Sequence, residues 1–300
     1  MSAPFDDLRR VLAQLPEGDT CAAKKVIGGD EVPDDNQADG LLGLKQWLAT
    51  WQGTSSPQTS EAHICVLASC YAGSDSAVVK EFIDAASRGS APVNRLCVDK
   101  GVGLRVLELA PDLPYDLSSP WDQAECMAAV AFGMEATASG GSLLGLSDYA
   151  PGNYIPALKV ISFLGGFDVT KLEEHLEDKT IGVLIDFVEA NGGQGTDPLE
   201  VLRLYGGREV AASVGAIIAA RSRRLPVVVD GWSALAAIAV LEAEKAGSTD
   251  HVKVASCPDY ASEWLAEKVG KKPLLGFSIA SGSGCGNAIS VALLKAAVDL

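Results

Sequence analysis

The sequence predicts an α/β protein: an open parallel β-sheet with helices on both faces. Three observations carry this. From residue 63 onward, short apolar runs alternate with longer helical patterns, which is the rhythm of βαβ units. Two of the short runs, HICVLAS and LPVVV, are continuously or nearly continuously apolar, as strands covered on both faces are. With 48% hydrophobic residues, only 6% aromatic ones and 31 glycines, the core has to be filled by Ala, Val and Leu, which suits a sheet sandwiched between helices. That layering is Rossmann-like.

Taken in order, residues 5–14 (FDDLRRVLAQ) read as a short amphipathic helix. Residues 15–40 are polar and rich in Gly, Asp and Pro, and read as an irregular arm. Residues 41–51 (LLGLKQWLATW) read as helix and 53–61 (GTSSPQTSE) as loop. HICVLAS, from His63, is a buried strand. The helix SDSAVVKEFIDAASRG follows, with Ser or Asp as its N-cap and Gly89 at its end. GLRVLELA is the next strand, and WDQAECMAAVAFGMEATASGG is a helix stopped by two glycines. SLLGLS is a strand that leads through a Gly/Pro turn into a helix from about Tyr154. Asp197 and Pro198 open a further helix as N-cap and first-turn proline. GREVAASVGAIIAARSRR is a long helix with Gly and Ala on one side. LPVVVDG is a buried strand ending on a carboxylate, WSALAAIAVLEAEKAG a helix, and HVKVASCPD a strand with a polar loop. PLLGFSIASGSGCGNAISVALLKAAV closes the pattern as strand, glycine loop and helix.

A net charge of −15 leaves no basic stripe for phosphates, so neither nucleic acid nor an anionic membrane surface is an expected partner. The acidity reads as solubility. No run of about 18 apolar residues occurs, and residues 1–18 lack the apolar centre of a signal peptide. The seven cysteines, Cys21, Cys65, Cys70, Cys97, Cys126, Cys257 and Cys285, form no C-x-x-C pair and mostly sit in apolar runs. A reducing cytoplasm is the expected location. His63, His175 and His251 are scattered, so no metal site is expected. Neither a P-loop nor a G-x-S-x-G elbow is present.

The strongest local signal is Ser281-Gly282-Ser283-Gly284-Cys285-Gly286-Asn287, between an apolar run and a helix. Its glycines let a ligand approach the backbone, and the helix start supplies N–H groups for a phosphate or carboxylate. The same glycines also serve a tight turn with close helix–strand packing. A dinucleotide fingerprint is not expected here. The loop is far from the first βα turn, and the acidic residue required about 20 positions further on is absent. Asp230-Gly231 ends the strand LPVVV, at the edge where open α/β sheets face ligands. Capping the next helix is the other use of such an aspartate. Gly206-Gly207 precedes a helix and offers its amides to an anion, or makes a helix–helix corner. Asp148-Tyr149-Ala150-Pro151-Gly152-Asn153 follows SLLGLS at the same edge; Asp148 suits a cation or hydroxyl, and Gly152-Asn153 a phosphate. Ser281 has no neighbouring histidine in sequence, and no nucleophilic role is indicated for it.

These segments resemble the nicotinate-nucleotide:dimethylbenzimidazole phosphoribosyltransferases. DPLEVLRLYGGREVAASVGAIIAA is similar to their Gly-Gly stretch and small-residue helix, and RRLPVVVDGW to their strand and Asp-Gly-Phe turn. SGSGCGNAISVALLKAA is similar to their Glu-Gly-Ser-Gly loop and closing helix. LLGLSDYAPGNYIPAL resembles their Gly-Glu-Met-Gly-Ile-Gly-Asn-Thr-Thr loop, and GLLGLKQWLA the end of their Pro-Pro-Gly-Ser-Leu-Gly motif. The resemblance implies transfer of phosphoribose from nicotinate mononucleotide to an aromatic base, releasing nicotinate, in assembly of the cobalamin nucleotide loop. It implies a small helical domain built from the chain ends: residues 1–60 as an N-terminal helical arm, 61–290 as the α/β domain, and 291–300 as a helix end packing with the small domain. It implies a homodimer, or a heteromer with a related chain, and no cofactor. It places Ser281, at the position of the family's general-base glutamate, and Asp148 in the catalytic centre. Gly152, Asn153, Gly206, Gly207, Asp230, Gly231, Gly282, Ser283 and Gly284 fall around the substrates.

The departures from the family pattern lie in polar side chains. Besides Ser281 in place of glutamate, Tyr154 and Ile155 replace two threonines. Ala68-Ser69-Cys70-Tyr71 replaces Ala-Asp-His-Gly, and Ser256-Cys257 replaces Ser-His. The family's Arg-Gly-Thr segment has no counterpart near Pro114–Pro120, and its lysine falls near Thr180, beside Lys179. A serine hydroxyl does not take a proton at neutral pH unaided. The departures therefore suggest a second reading: a catalytically impaired relative that acts as a ligand-binding or partner subunit.

Overall fold

The computed structural model describes residues 4–27, 40–165, 169–172, 174, 176, 178–191, 197–279 and 283–300. Five strands, β1 (Ala62–Ala68), β2 (Gly103–Glu108), β3 (Leu143–Tyr149), β4 (Val227–Val229) and β5 (Val252–Val254), form a sheet in the order β2-β1-β3-β4-β5. Every pairing is parallel. The order reverses between β1 and β3, which opens a crevice beyond their carboxyl ends. The helices are α1 (Pro4–Ala13), α2 (Thr20–Ile27), α3 (Leu41–Gln52), α4 (Ser76–Ser87), α5 (Pro92–Lys100), α6 (Gln123–Gly133), α7 (Tyr154–Leu164), α8 (Asp178–Asn191), α9 (Pro198–Val201), α10 (Gly207–Ser222), α11 (Trp232–Glu244), α12 (Tyr260–Lys268) and α13 (Cys285–Val298). Among the described residues, no helix is long and apolar enough to cross a membrane.

The two-residue period of a strand divides the core in two. Cys65 and Leu67 of β1 face one cluster, filled by Phe5, Leu8 and Leu12 of α1 and by apolar residues of α6, α7, α10 and α11. Ile64 and Val66 face the other, filled by Trp47 and Leu48 of α3, Phe82 of α4, Val93 of α5, and Val291 and Leu294 of α13. Covering both faces is what makes the inner strands β1, β3 and β4 mostly buried and largely apolar, whereas the edge strand β2 is largely exposed or half-buried and carries Arg105 and Glu108. On the first face, α6 and α10 touch backbone to backbone. A Cβ on Gly133 would run into the Ala212 carbonyl, and one on Gly215 into the Val130 carbonyl.

Side-chain caps set several helix starts, those of α4 and α9 as the sequence implied. Asp75 accepts the Ala77 N–H at 2.9 Å to start α4. Asp122 and Glu125 form a reciprocal capping box on α6. Asp197 accepts the Leu199 N–H at 2.9 Å, with Pro198 in the first turn of α9. The chain then passes through a π-type turn, Leu202–Gly206, into α10.

The structure also differs from the sequence reading. Residues 20–27 are helix rather than irregular arm: Asp19 accepts the Ala22 N–H at 3.0 Å, and Ala22 and Ala23 are buried. Residues 28–39 of the arm lie outside the described residues. α5 was not anticipated; Pro92 starts it and Asn94 caps it by accepting the Ala91 N–H at 3.0 Å. The helix from Trp121 is shorter than expected, ending at Gly133 and continuing as a 3₁₀ turn, Met134–Thr137. PLLGFSI does not form a strand. Only a bridge between Val254 and Pro273 remains, because β5 is three residues long and Pro273 has no N–H to donate.

Candidate active site

Three buried carboxylates sit at the carboxyl edge of the sheet: Asp148 near the end of β3, Asp230 directly after β4, and Glu209 in the first turn of α10. They are 8%, 3% and 0% exposed. Buried charge has to be met by hydrogen bonds, and two of these groups are met by helix starts. Asp148 Oδ2 accepts the Ser233 N–H at 3.1 Å, inside the first turn of α11. Its other oxygen accepts from the Asn153 amide, which also donates to Ser233 Oγ at 3.1 Å. Asp230 Oδ2 accepts the Asn287 N–H at 3.1 Å, in the first turn of α13, and Oδ1 accepts the Ser147 hydroxyl at 3.0 Å. Neither helix carries a capping side chain of its own, since Gly231 and Gly284 occupy those positions. Each strand-end aspartate therefore caps a helix that lies well beyond it in the chain. Glycine is what allows this approach. A Cβ on Gly231 would lie 2.6 Å from Asp148 Oδ2, and one on Gly286 would lie 2.7 Å from Asp230 Oδ2.

Burial sets the protonation of all three groups. It pushes Asp148 up to about 7, helped by the charges of Glu209 and Asp230 and opposed by Ser233 and Asn153. It pushes Asp230 up to about 6, against the hydrogen bonds from Ser147, Asn287 and Gly286. It raises Glu209 too, with the Tyr71 hydroxyl among the opposing hydrogen bonds. Tyr71, just past β1, donates to Glu209 Oε2 at 2.6 Å, and its own acidity is suppressed by burial and then by that carboxylate. Glu209 Oε1 has no hydrogen-bond partner among the described residues. The edge can thus hold or release protons close to neutral pH.

The sequence-derived residues fall as follows. Asp148 and Asn153 meet and are linked through Ser233, with Gly231 packed against the Asp148 carboxylate; Asp230, next to Gly231 in the chain, is held separately by Ser147 and Asn287. Gly152 lies beside Ser74, whose hydroxyl donates to the Pro151 carbonyl at 2.8 Å. Gly206 and Gly207 are buried against Tyr71 at the start of α10. Ser283 and Gly284 lead into α13. Ser281 and Gly282 lie outside the described residues. The α13 start was expected to offer free amides to an anion; those of Gly286 and Asn287 instead face Asp230. Glu209 and Ser233 were not singled out from the sequence; Tyr71 and Asn287 were named only as members of longer segments, with no role of their own. Glu209 had a signal, as a carboxylate directly ahead of the apolar and small-residue stretch VAASVGAIIAA, and Tyr71 had one in its place in the loop after the first strand.

Among the described residues, cavities open near this edge. One, of about 310 Å³, lies between Cys257–Tyr260 and Pro273–Ser278, beside the end of β5. Tyr260 and Phe277 stand in it 78% and 59% exposed. Its shape is held by Ser278, which donates to the Cys257 carbonyl at 3.1 Å, and by Asp259, which accepts the Ser262 N–H at 2.8 Å to cap α12. Burial, then Glu263 and Asp259, push the Cys257 thiol up to about 12, so it stays protonated. The second, of about 280 Å³, lies beyond β2 around Trp121, Phe132 and Arg208. There the Arg208 guanidinium donates to the Ala110 carbonyl at 3.1 Å and to that of Leu113, and clamps the loop. Six of the seven cysteines are buried, and His251 is buried with burial lowering it to about 3. Among the described residues, no cluster of His, Cys, Asp and Glu could hold a metal ion.

A family model described as "Phosphoribosyltransferase" matches residues 40–300. The nicotinate-nucleotide–dimethylbenzimidazole phosphoribosyltransferase of Brucella melitensis biotype 2 is 34% identical over 317 residues, covering 98% of this chain and 93% of that protein. The protein of the same name from Allorhizobium ampelinum is 33% identical over 316 residues, covering 98% and 92%. The crystal structure of the enzyme of that name from Thermus thermophilus superposes with a TM-score of 0.77, at 22% identity, covering 96% of this chain and 94% of that one; this is a likeness of fold. From the family match and the full-length relatives together, the chain belongs to the phosphoribosyltransferase family whose relatives include the nicotinate-nucleotide–dimethylbenzimidazole enzymes.

Proposed function

We propose that this chain transfers phosphoribose from nicotinate mononucleotide to an aromatic base, as in assembly of the cobalamin nucleotide loop. The observation that carries this reading is the cavity of about 310 Å³ flanked by Tyr260 and Phe277. It is sized for a planar ring system and opens at the carboxyl edge of the sheet, beside the segment leading to α13. In the transfer, the acceptor's lone pair forms a bond to ribose C1′ as the bond from C1′ to nicotinate breaks. The electron pair of that bond returns to the pyridine nitrogen, and the acceptor loses a proton. On this reading the Asp148–Asn153–Ser233 and Asp230–Asn287 contacts hold the crevice in shape, with Gly152 and Ser283 near the phosphoribosyl group. Residues 1–60 serve as the small helical unit, 61–290 as the α/β body and 291–300 as the helix end. The packing of Leu294 and Ala297 with Leu44 and Trp47 supports joining the two chain ends. The protein acts in the cytoplasm as a homodimer, or in a heteromer with a related chain.

A second reading, a binding or partner subunit with impaired catalysis, is favoured by Ser281 at the position matching the family's glutamate. One assay separates the two. Purified protein is incubated with nicotinate mononucleotide and benzimidazoles or phenols, and free nicotinate is measured. Turnover supports the transferase. Binding of nicotinate mononucleotide without turnover, in wild type and in Ser281→Glu alike, supports the binding subunit.

A further inference from the structure

Transfer to a ring N–H or a phenol requires a group that takes the acceptor's proton, and this inference rests on the transferase reading above. The carboxylates of the edge differ in their freedom to do so. Asp148 and Asp230 have both oxygens engaged by helix amides and neighbouring side chains. Glu209 is fully buried behind Tyr71. Within the cavity of about 310 Å³, two carboxylates line the wall, Asp259 and Glu263. Asp259 is committed to α12: its Oδ1 accepts the Ser262 N–H and the Ser262 hydroxyl, each at 2.8 Å. Glu263 stands in the first turn of α12, is exposed, and has no hydrogen bond or ion pair on its carboxylate among the described residues. It shares the cavity with Tyr260 and Phe277, between which a planar acceptor would lie. The other titratable groups lining that cavity are Asp259, Tyr260 and Cys257, and the Cys257 thiol is held protonated by its burial.

We propose that Glu263 is the catalytic base of this chain. As the acceptor's nitrogen bonds to C1′ and nicotinate leaves with the electron pair of its bond, the acceptor's N–H proton passes to the Glu263 carboxylate. The product is then a neutral glycosylated base and free nicotinate, with no change of oxidation state. Glu263 lies eighteen positions before Ser281 in sequence (281 − 263 = 18), on a separate element, so the base reaches the acceptor from the start of α12.

The test compares wild type, Glu263→Gln, Glu263→Asp and, as a control on the same helix, Glu267→Gln. Removing a positioned base typically costs about 10²–10⁴ in rate. Glu263→Gln is expected to lose about that much kcat, with KM for nicotinate mononucleotide within about twofold and an unchanged thermal midpoint, since the side chain is exposed. Glu263→Asp retains part of the rate and Glu267→Gln all of it. The deficit of Glu263→Gln shrinks along a series of benzimidazoles with increasingly acidic N–H groups, because a weaker base then suffices. A Glu263→Gln protein that matches an active wild type with every acceptor overturns the assignment while leaving the transferase reading intact. A wild type that releases no nicotinate with any acceptor overturns both.

Discussion

At the level of single residues, Asp148 and Asp230 were legible because each ends an apolar run, and a carboxylate there has few uses. Their partners were not. Tyr71 and Glu209 are 138 positions apart in sequence, and nothing local announces that a tyrosine hydroxyl will meet that carboxylate. The aspartates also make stability depend on pH in a definite direction. The ordinary value of 3.8 for Asp148 rises to about 7 in the fold. A raised acid holds its proton more tightly when folded. The associated stability is therefore complete below about pH 4 and is lost as pH rises through about 7, by about 4 kcal/mol for a shift of that size. Asp230, raised to about 6, adds to the same slope. The thermal midpoint should fall between pH 5 and pH 8 in wild type and fall much less in Asp148→Asn. Equal slopes in the two proteins would assign the titration elsewhere.

At the level of elements, the sequence announced those with an acidic cap or an unbroken apolar run. It hid α5, whose cap comes from the Asn94 side chain reaching back, and α2, whose residues gain order by packing on α3. The segment after Pro273 misled for the opposite reason: its apolar residues line a cavity instead of entering the sheet. The caps themselves can be ranked. Asp75 and Asp197 each accept one helix amide at 2.9 Å, but Asp197 also meets Arg9 of α1 at 2.6 Å, and Arg9 continues to Glu244 at 2.7 Å. Loss of a cap costs about 1 kcal/mol. Asp197→Ala should therefore cost more than Asp75→Ala by a few tenths of a kcal/mol to about 1 kcal/mol, and the difference should shrink in Arg9→Ala. Urea melts of the single and double variants measure this; identical losses in both backgrounds would show that the Arg9 contact contributes nothing.

For the whole molecule, the open parallel sheet was legible because strands buried on both faces leave a pattern that survives any choice of helix. The placement of the first helices was not. α1 covers one face of the sheet and α3 the other, which no periodicity reveals. Light scattering at micromolar concentration is expected to give the mass of a dimer; a monomer mass would remove the homodimer and leave only assembly with another chain.

The glycine contact between α6 and α10 bears on how this protein would fail under genetic change. Gly133 and Gly215 each face a carbonyl of the other helix, so a methyl group at either site has no room and must lever the two backbones apart. α10 carries Glu209 less than two turns before Gly215, and with it the grip on Tyr71. Gly133→Ala is therefore expected to lower the thermal midpoint and to disturb a site it never touches. A random screen for temperature-sensitive alleles should accumulate hits at residues 133 and 215. The obstacle at each is main chain, which no second substitution removes, so revertants should restore glycine rather than compensate elsewhere.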